Sequence, residues 1–122
     1  MHRSRLGVIL IDHSEGHDEA LDFWAKALGN ATHPEGEYTS LGEIGALHLA
    51  VQRTGTGTPQ RVHLDIETDD VAAEVERLVG IGARVLEQLE DYSILEDPAG
   101  LVFCVVPVQT GALFEDDATT WH

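Results

Sequence analysis

The feature that most constrains this chain is a change of hydrophobic period that occurs twice, in the same order. Leu6, Gly7, Val8, Ile9, Leu10 and Ile11 form a short apolar run rich in branched side chains. Such a run reads as a strand buried on both faces. Residues 12–16 read as a turn. From His17 the period changes: Ala20, Phe23, Trp24, Ala27 and Leu28 fall at i, i+3, i+4, i+7 and i+8. This is the stripe of a helix packed on a core, and it places Phe23 and Trp24 against a sheet. Gly29 and Asn30 supply a left-handed stop. Pro34 and Gly36 punctuate the next loop. Two strands follow, over residues 37–41 and 46–53, joined through Gly42, Glu43, Ile44 and Gly45.

Residues 53–60 are small and flexible, and the pattern then restarts. Val62, Leu64 and Ile66 alternate with His63, Asp65 and Glu67, which predicts a strand over residues 61–67. Asp69 is placed to cap a helix, with Asp70 in its first turn. Val71, Val75, Leu78 and Val79 form the helix stripe, and Gly80 and Gly82 end it. Residues 84–88 and 91–95 read as strands. Asp97, Pro98, Ala99 and Gly100 make a turn. Residues 101–106 read as a closing buried strand. Strand, helix and further strands therefore occur twice, with two strands after the first helix and three after the second. In this repeat Asp12 and Asp69 both open helices, and His48 and Cys104 both sit midway along closing strands. Residues 109–122 form an acidic tail that packs on the domain, packs on a partner chain, or frays.

Charge narrows the partners. With 22 acidic against 7 basic residues the net charge is −15, so phosphate backbones and anionic lipid are repelled. The six-residue apolar run is too short for a signal segment or a membrane span. The lone cysteine, Cys104, excludes an internal disulfide. We expect a soluble, cytoplasmic protein with no nucleic-acid or membrane partner.

Three segments carry a family resemblance. Residues 20–29 hold an aromatic pair, Phe23 and Trp24, followed by Leu28 and Gly29. Residues 61–66, with Asp69 and Asp70 beyond them, hold His63, Leu64 and Asp65. Residues 95–106 hold Asp97, Pro98 and Gly100, then an apolar strand. In order and spacing these resemble the glyoxalase-like domains of the vicinal oxygen chelate superfamily, which includes glyoxalases, bleomycin-resistance proteins and extradiol dioxygenases. The resemblance covers roughly residues 5–108. It implies an α+β fold: two βαβββ modules with mixed, curved sheets that form a small-molecule cup, helices outside. The chain would be one domain over residues 1–122, with halves at about 5–53 and 61–108 and the acidic tail after them. A homodimer is also expected, since edge strands ask for a cover.

The resemblance further implies a divalent metal (Zn, Fe, Ni or Mn) in enzymatic members, with one ligand from each of four strands. Those positions fall at Arg5, His48, His63 and Cys104. Arg5 stays protonated and cannot coordinate. His48 and His63 are competent ligands. Cys104 stands where a carboxylate is usual; a thiolate binds zinc or iron, but an apolar strand favours the neutral thiol. Asp65, Glu43 and Glu96 are substitutes within a small shift of register. The expected pocket residues are Tyr38, His48, His63, Tyr92 and Cys104, with both tyrosines on strands. The function implied is binding of a small molecule, with metal-assisted lyase, isomerase or dioxygenase chemistry. The alternative is a metal-free protein that sequesters a toxic or antibiotic compound. His13 and His17 read as a solvated turn, His2 and His122 carry no role, and Gly55 to Thr58 are a plain connector rather than a phosphate loop.

Overall fold

The computed structural model describes residues 1–36 and 38–122; Glu37, the expected first residue of a strand, lies outside the described residues. The described residues form nine strands and three helices in the order β1 (His2–His13), α1 (His17–Leu28), β2 (His33–Glu35), β3 (Tyr38–Ile44), β4 (Leu47–Arg53), β5 (Arg61–Thr68), α2 (Val71–Gly80), β6 (Arg84–Gln88), β7 (Ser93–Glu96), β8 (Val102–Pro107), α3 (Ala112–Asp117) and β9 (Thr119–Trp121). Two βαβββ series are present, as the family resemblance implied, and the α+β class holds. Among the described residues no helix is long and apolar enough to cross a membrane.

The chain divides into two compact units, one of residues 8–63 and one of residues 1–7 with 64–122. In the first, β4 pairs with β1 in parallel and with β3 antiparallel, and β2 lines the far edge of β3. Strand β2 was expected as loop. Pro34 is tolerated there because an edge strand spares one row of donors. Helix α1 ends where predicted: Gly29 adopts φ 72° and its N–H donates to the Ala25 carbonyl. Its buried face differs from the expected stripe. Phe23 is 60% exposed and Leu28 is exposed, while His17 is the buried residue of this helix. His17 is no solvated turn residue: its Nδ1 lies 3.1 Å from Asp18 and 3.4 Å from Arg53.

In the second unit β5, β8, β7 and β6 lie side by side, β5 and β8 parallel and the others antiparallel. Helix α2 packs Val75 and Leu78 onto Leu95, Phe103 and Val105, with Leu64, Ile66 and Val71 at the margin. Val79, expected in that stripe, is exposed; Glu74 is buried instead. The cap also moves by one residue. Asp70 has an extended backbone and its carboxylate accepts the Ala73 N–H at 3.0 Å. Asp69 instead accepts the Arg3 N–H at 2.8 Å, which holds its carboxyl below the usual range. Replacing Asp70 by alanine is expected to cost about 1 kcal/mol, read as a lower urea midpoint at unchanged slope.

The acidic tail packs on this unit. Strand β9 pairs with His2, Arg3 and Ser4 of β1, and this pairing extends β1 beyond the expected run at residues 6–11. Trp121 donates to Ser4 Oγ at 2.9 Å and stacks under the Arg77 guanidinium at 3.7 Å. Arg77 forks onto the fully buried Glu74 at 2.8 and 2.9 Å, and His2 reaches the same carboxylate at 2.8 Å. His2 thus has a structural partner, contrary to expectation. Burial pushes the Glu74 carboxyl up, but Arg77, His2 and Ser4 outweigh it and hold it below its ordinary value.

Candidate functional site

In the unit of residues 8–63, period-two alternation and register put one set of side chains on one sheet face. Val8 stands opposite His48, Leu10 opposite Ala50 and Asp12 opposite Gln52. Across the next pair, Tyr38 is opposite Gln52 and Ser40 opposite Ala50. Val8, Leu10 and Ala50 form a buried cluster with Tyr38 packed against it. Two polar pairs are set into this face. Ser40 Oγ accepts the Gly42 N–H at 3.0 Å and lies 2.6 Å from His48 Nε2. Asp12, fully buried, has Oδ2 at 3.2 Å from His63 Nδ1 and 3.4 Å from Arg61 Nε. Asp12 had been read as a turn residue opening a helix. It is instead the last member of the alternating series Val8, Leu10 and Asp12 on a longer β1.

Strand β5 carries His63, Asp65 and Glu67 on the face opposite Leu64 and Ile66, which pack at the core of the helix side. Asp65 is directly opposite Cys104 on β8. One ligand atom each from His63, Asp65 and Cys104 lie within 4.8 Å of one another, and all three residues are buried. This is the one such group of three among the described residues. Asp65, a substitute in the sequence reading, is thus placed beside two of the expected ligand positions. The donors are an imidazole nitrogen, a carboxylate oxygen and a sulfur. That set suits zinc or iron(II), and three protein donors leave coordination positions for a substrate.

The remaining expected residues fall elsewhere. His48 is partnered by Ser40, with Glu43 opposite it in the strand pair. Tyr92 lies in the β6–β7 turn rather than on a strand, where its carbonyl accepts the Leu89 N–H. Glu96 is ion-paired with Arg84. Arg5, the position where a ligand is lacking, is committed to other work. Its side chain is 6% exposed, its Nε is 3.3 Å from Glu67 Oε2, and its Nη1 reaches the Leu113 carbonyl and Asp117. Glu67 in turn accepts the Gln109 and Thr110 N–H groups and the Thr110 hydroxyl at 2.6–3.0 Å. Arginine at this position therefore anchors the tail.

Solved structures share the fold at low identity. A hypothetical protein of Bacillus halodurans C-125 superposes with TM-score 0.65 at 12% identity, covering 89% of this chain and 97% of its own. A Legionella pneumophila protein titled NAD-dependent benzaldehyde dehydrogenase gives 0.66 at 9%, covering 84% and 98%. A glyoxalase/bleomycin resistance protein/dioxygenase superfamily member of Vibrio splendidus 12B01 gives 0.59 at 13%, covering 88% and 98%. No curated protein matches the chain. A fold of this kind supports small-molecule binding, while chemistry depends on the site each chain builds. The model of the glyoxalase-like domain matches residues 8–106, more than half of the sequence and across both βαβββ series, so the chain belongs to the glyoxalase-like family of the vicinal oxygen chelate superfamily.

Proposed function

We propose that this protein binds a small molecule through a divalent metal held by His63, Asp65 and Cys104. The single observation that carries the reading is the clustering of those three buried donors. When bound, such an ion acts as a Lewis acid toward substrate oxygens, the chemistry used by metal-assisted lyases, isomerases and dioxygenases. The chain's own contribution is to hold the donors on two hydrogen-bonded strands, which fixes their spacing more tightly than loops would. His48 and Tyr38, on the β3–β4 face, are proposed as pocket residues rather than ligands.

A second reading is supported by the net charge of −15 and by Arg5 standing where a fourth ligand is usual. In it the protein takes no metal and sequesters a toxic or antibiotic compound of positive charge. One experiment separates the two. Elemental analysis of protein purified without chelator, before and after incubation with zinc, iron, nickel or manganese, is expected to give close to one equivalent. His63→Ala and Cys104→Ala should lose it, and His48→Ala should keep it. A metal-free wild type after incubation would overturn the first reading and leave the second.

A further inference from the structure

We propose that Asp12 is a positioning residue that fixes the tautomer of His63, and so which ring nitrogen presents a lone pair to the ion. The inference rests on the metal reading above. Asp12 closes an otherwise apolar series, Val8 and Leu10, and is fully buried. A buried carboxylate is costly unless it is bonded, so packing alone gives no reason for it. Its Oδ2 takes both contacts, from His63 Nδ1 at 3.2 Å and Arg61 Nε at 3.4 Å, whereas Oδ1 has no hydrogen-bond partner among the described residues. An ionised carboxylate only accepts hydrogen bonds, so the contact to His63 requires a proton on Nδ1. A neutral ring protonated there carries its lone pair on Nε2. Arg61 stands two residues before His63 on the same face of β5, and its Nε–H donates to the same carboxylate oxygen. Metal-binding histidines are commonly oriented by a carboxylate at the other nitrogen. Here that carboxylate comes from β1, a strand that supplies none of the three proposed ligands.

The test reads the ring before it reads the metal. In metal-free wild type, imidazole ¹⁵N shifts should show the neutral His63 ring protonated at Nδ1. A neutral ring protonated at Nε2 would overturn the proposal without any variant. Zinc affinity, measured by competition with a chromogenic chelator, should then fall roughly 10–100-fold in Asp12→Asn, the range typical for loss of such an outer partner. Arg61→Gln should stay near wild type. Unchanged affinity in a folded Asp12→Asn also overturns the inference. Should wild type bind no zinc, the metal reading fails, and the tautomer alone decides the role of Asp12.

Discussion

Phe114→Ala is expected to destabilise the protein by about 3–5 kcal/mol, the range for emptying a buried aromatic site. For a chain of this size that is a fall in melting temperature of roughly 10–20 °C. Phe114 is 0% exposed, although it sits on a six-residue helix near the end of the chain. A helix that short does not persist by itself, so its packing must hold it. The Arg3 guanidinium lies 5.1 Å from the ring centroid and also pairs with Glu115 at 2.8 Å, which adds a polar clamp beside the apolar anchor. Calorimetry checks the loss. Phe23→Ala is the control: its ring is 60% exposed, so the change should stay within about 0.5 kcal/mol. A Phe114→Ala protein that melts like wild type would mean that the tail is not part of the folded unit.

Glu67→Ala should be as damaging, at about 3–5 kcal/mol, because it breaks a buried ion pair from one side. Glu67 is fully buried and the Arg5 side chain is 6% exposed, so removing the carboxylate takes the buried ion partner from a guanidinium whose Nη1 still meets the Leu113 carbonyl and Asp117. The same change leaves the Gln109 and Thr110 N–H groups without their acceptor. A Cβ placed on Gly7 would lie 2.0 Å from Glu67 Oε2, so glycine is what lets β1 pass this side chain. Urea unfolding of Glu67→Ala, Arg5→Met and the pair closes a double-mutant cycle. The pair should lose less than the sum of the singles, because the second change removes the charge that the first deprived of its buried counter-ion. Strict additivity would show that the two side chains do not depend on each other.

Much of the fold was legible before any coordinates. The shift from branched alternation to 3.6-residue spacing marked α1 and α2, and Gly29 marked the end of α1 with the left-handed backbone it adopts. Hydrophobic periodicity reports which side of an element is apolar, but not how much of that side finds a neighbour. Phe23 and Val79 therefore belong to plausible stripes and yet stay exposed. Strand β2 carries no apolar alternation at all; it forms because β3 offers an open edge.

The site divides the same way. His63 and Cys104 could be picked out because each falls at a position that a family pattern makes meaningful. Asp65 entered only as a substitute, since its standing depends on lying opposite Cys104 in a strand pair 39 positions apart, which local pattern does not encode. Asp12 looked like a turn residue because carboxylates usually leave the interior, and only the closure of β1 on its neighbours buries it. Ser40 was not singled out, because a serine in a strand gives no sign of the histidine beside it.

What the sequence determined by itself was the twofold recurrence of strand, helix and further strands, the strong negative charge and the residue types able to meet a metal. Each of these depends on spacing along the chain or on side-chain chemistry. The tertiary structure decided the cap at Asp70, the burial of Asp12 and Glu74, the capture of Arg5 by Glu67 and the anchoring of the tail through Phe114. Those depend on which distant segments meet, and strand register and the cost of leaving a buried polar group unbonded set the answer.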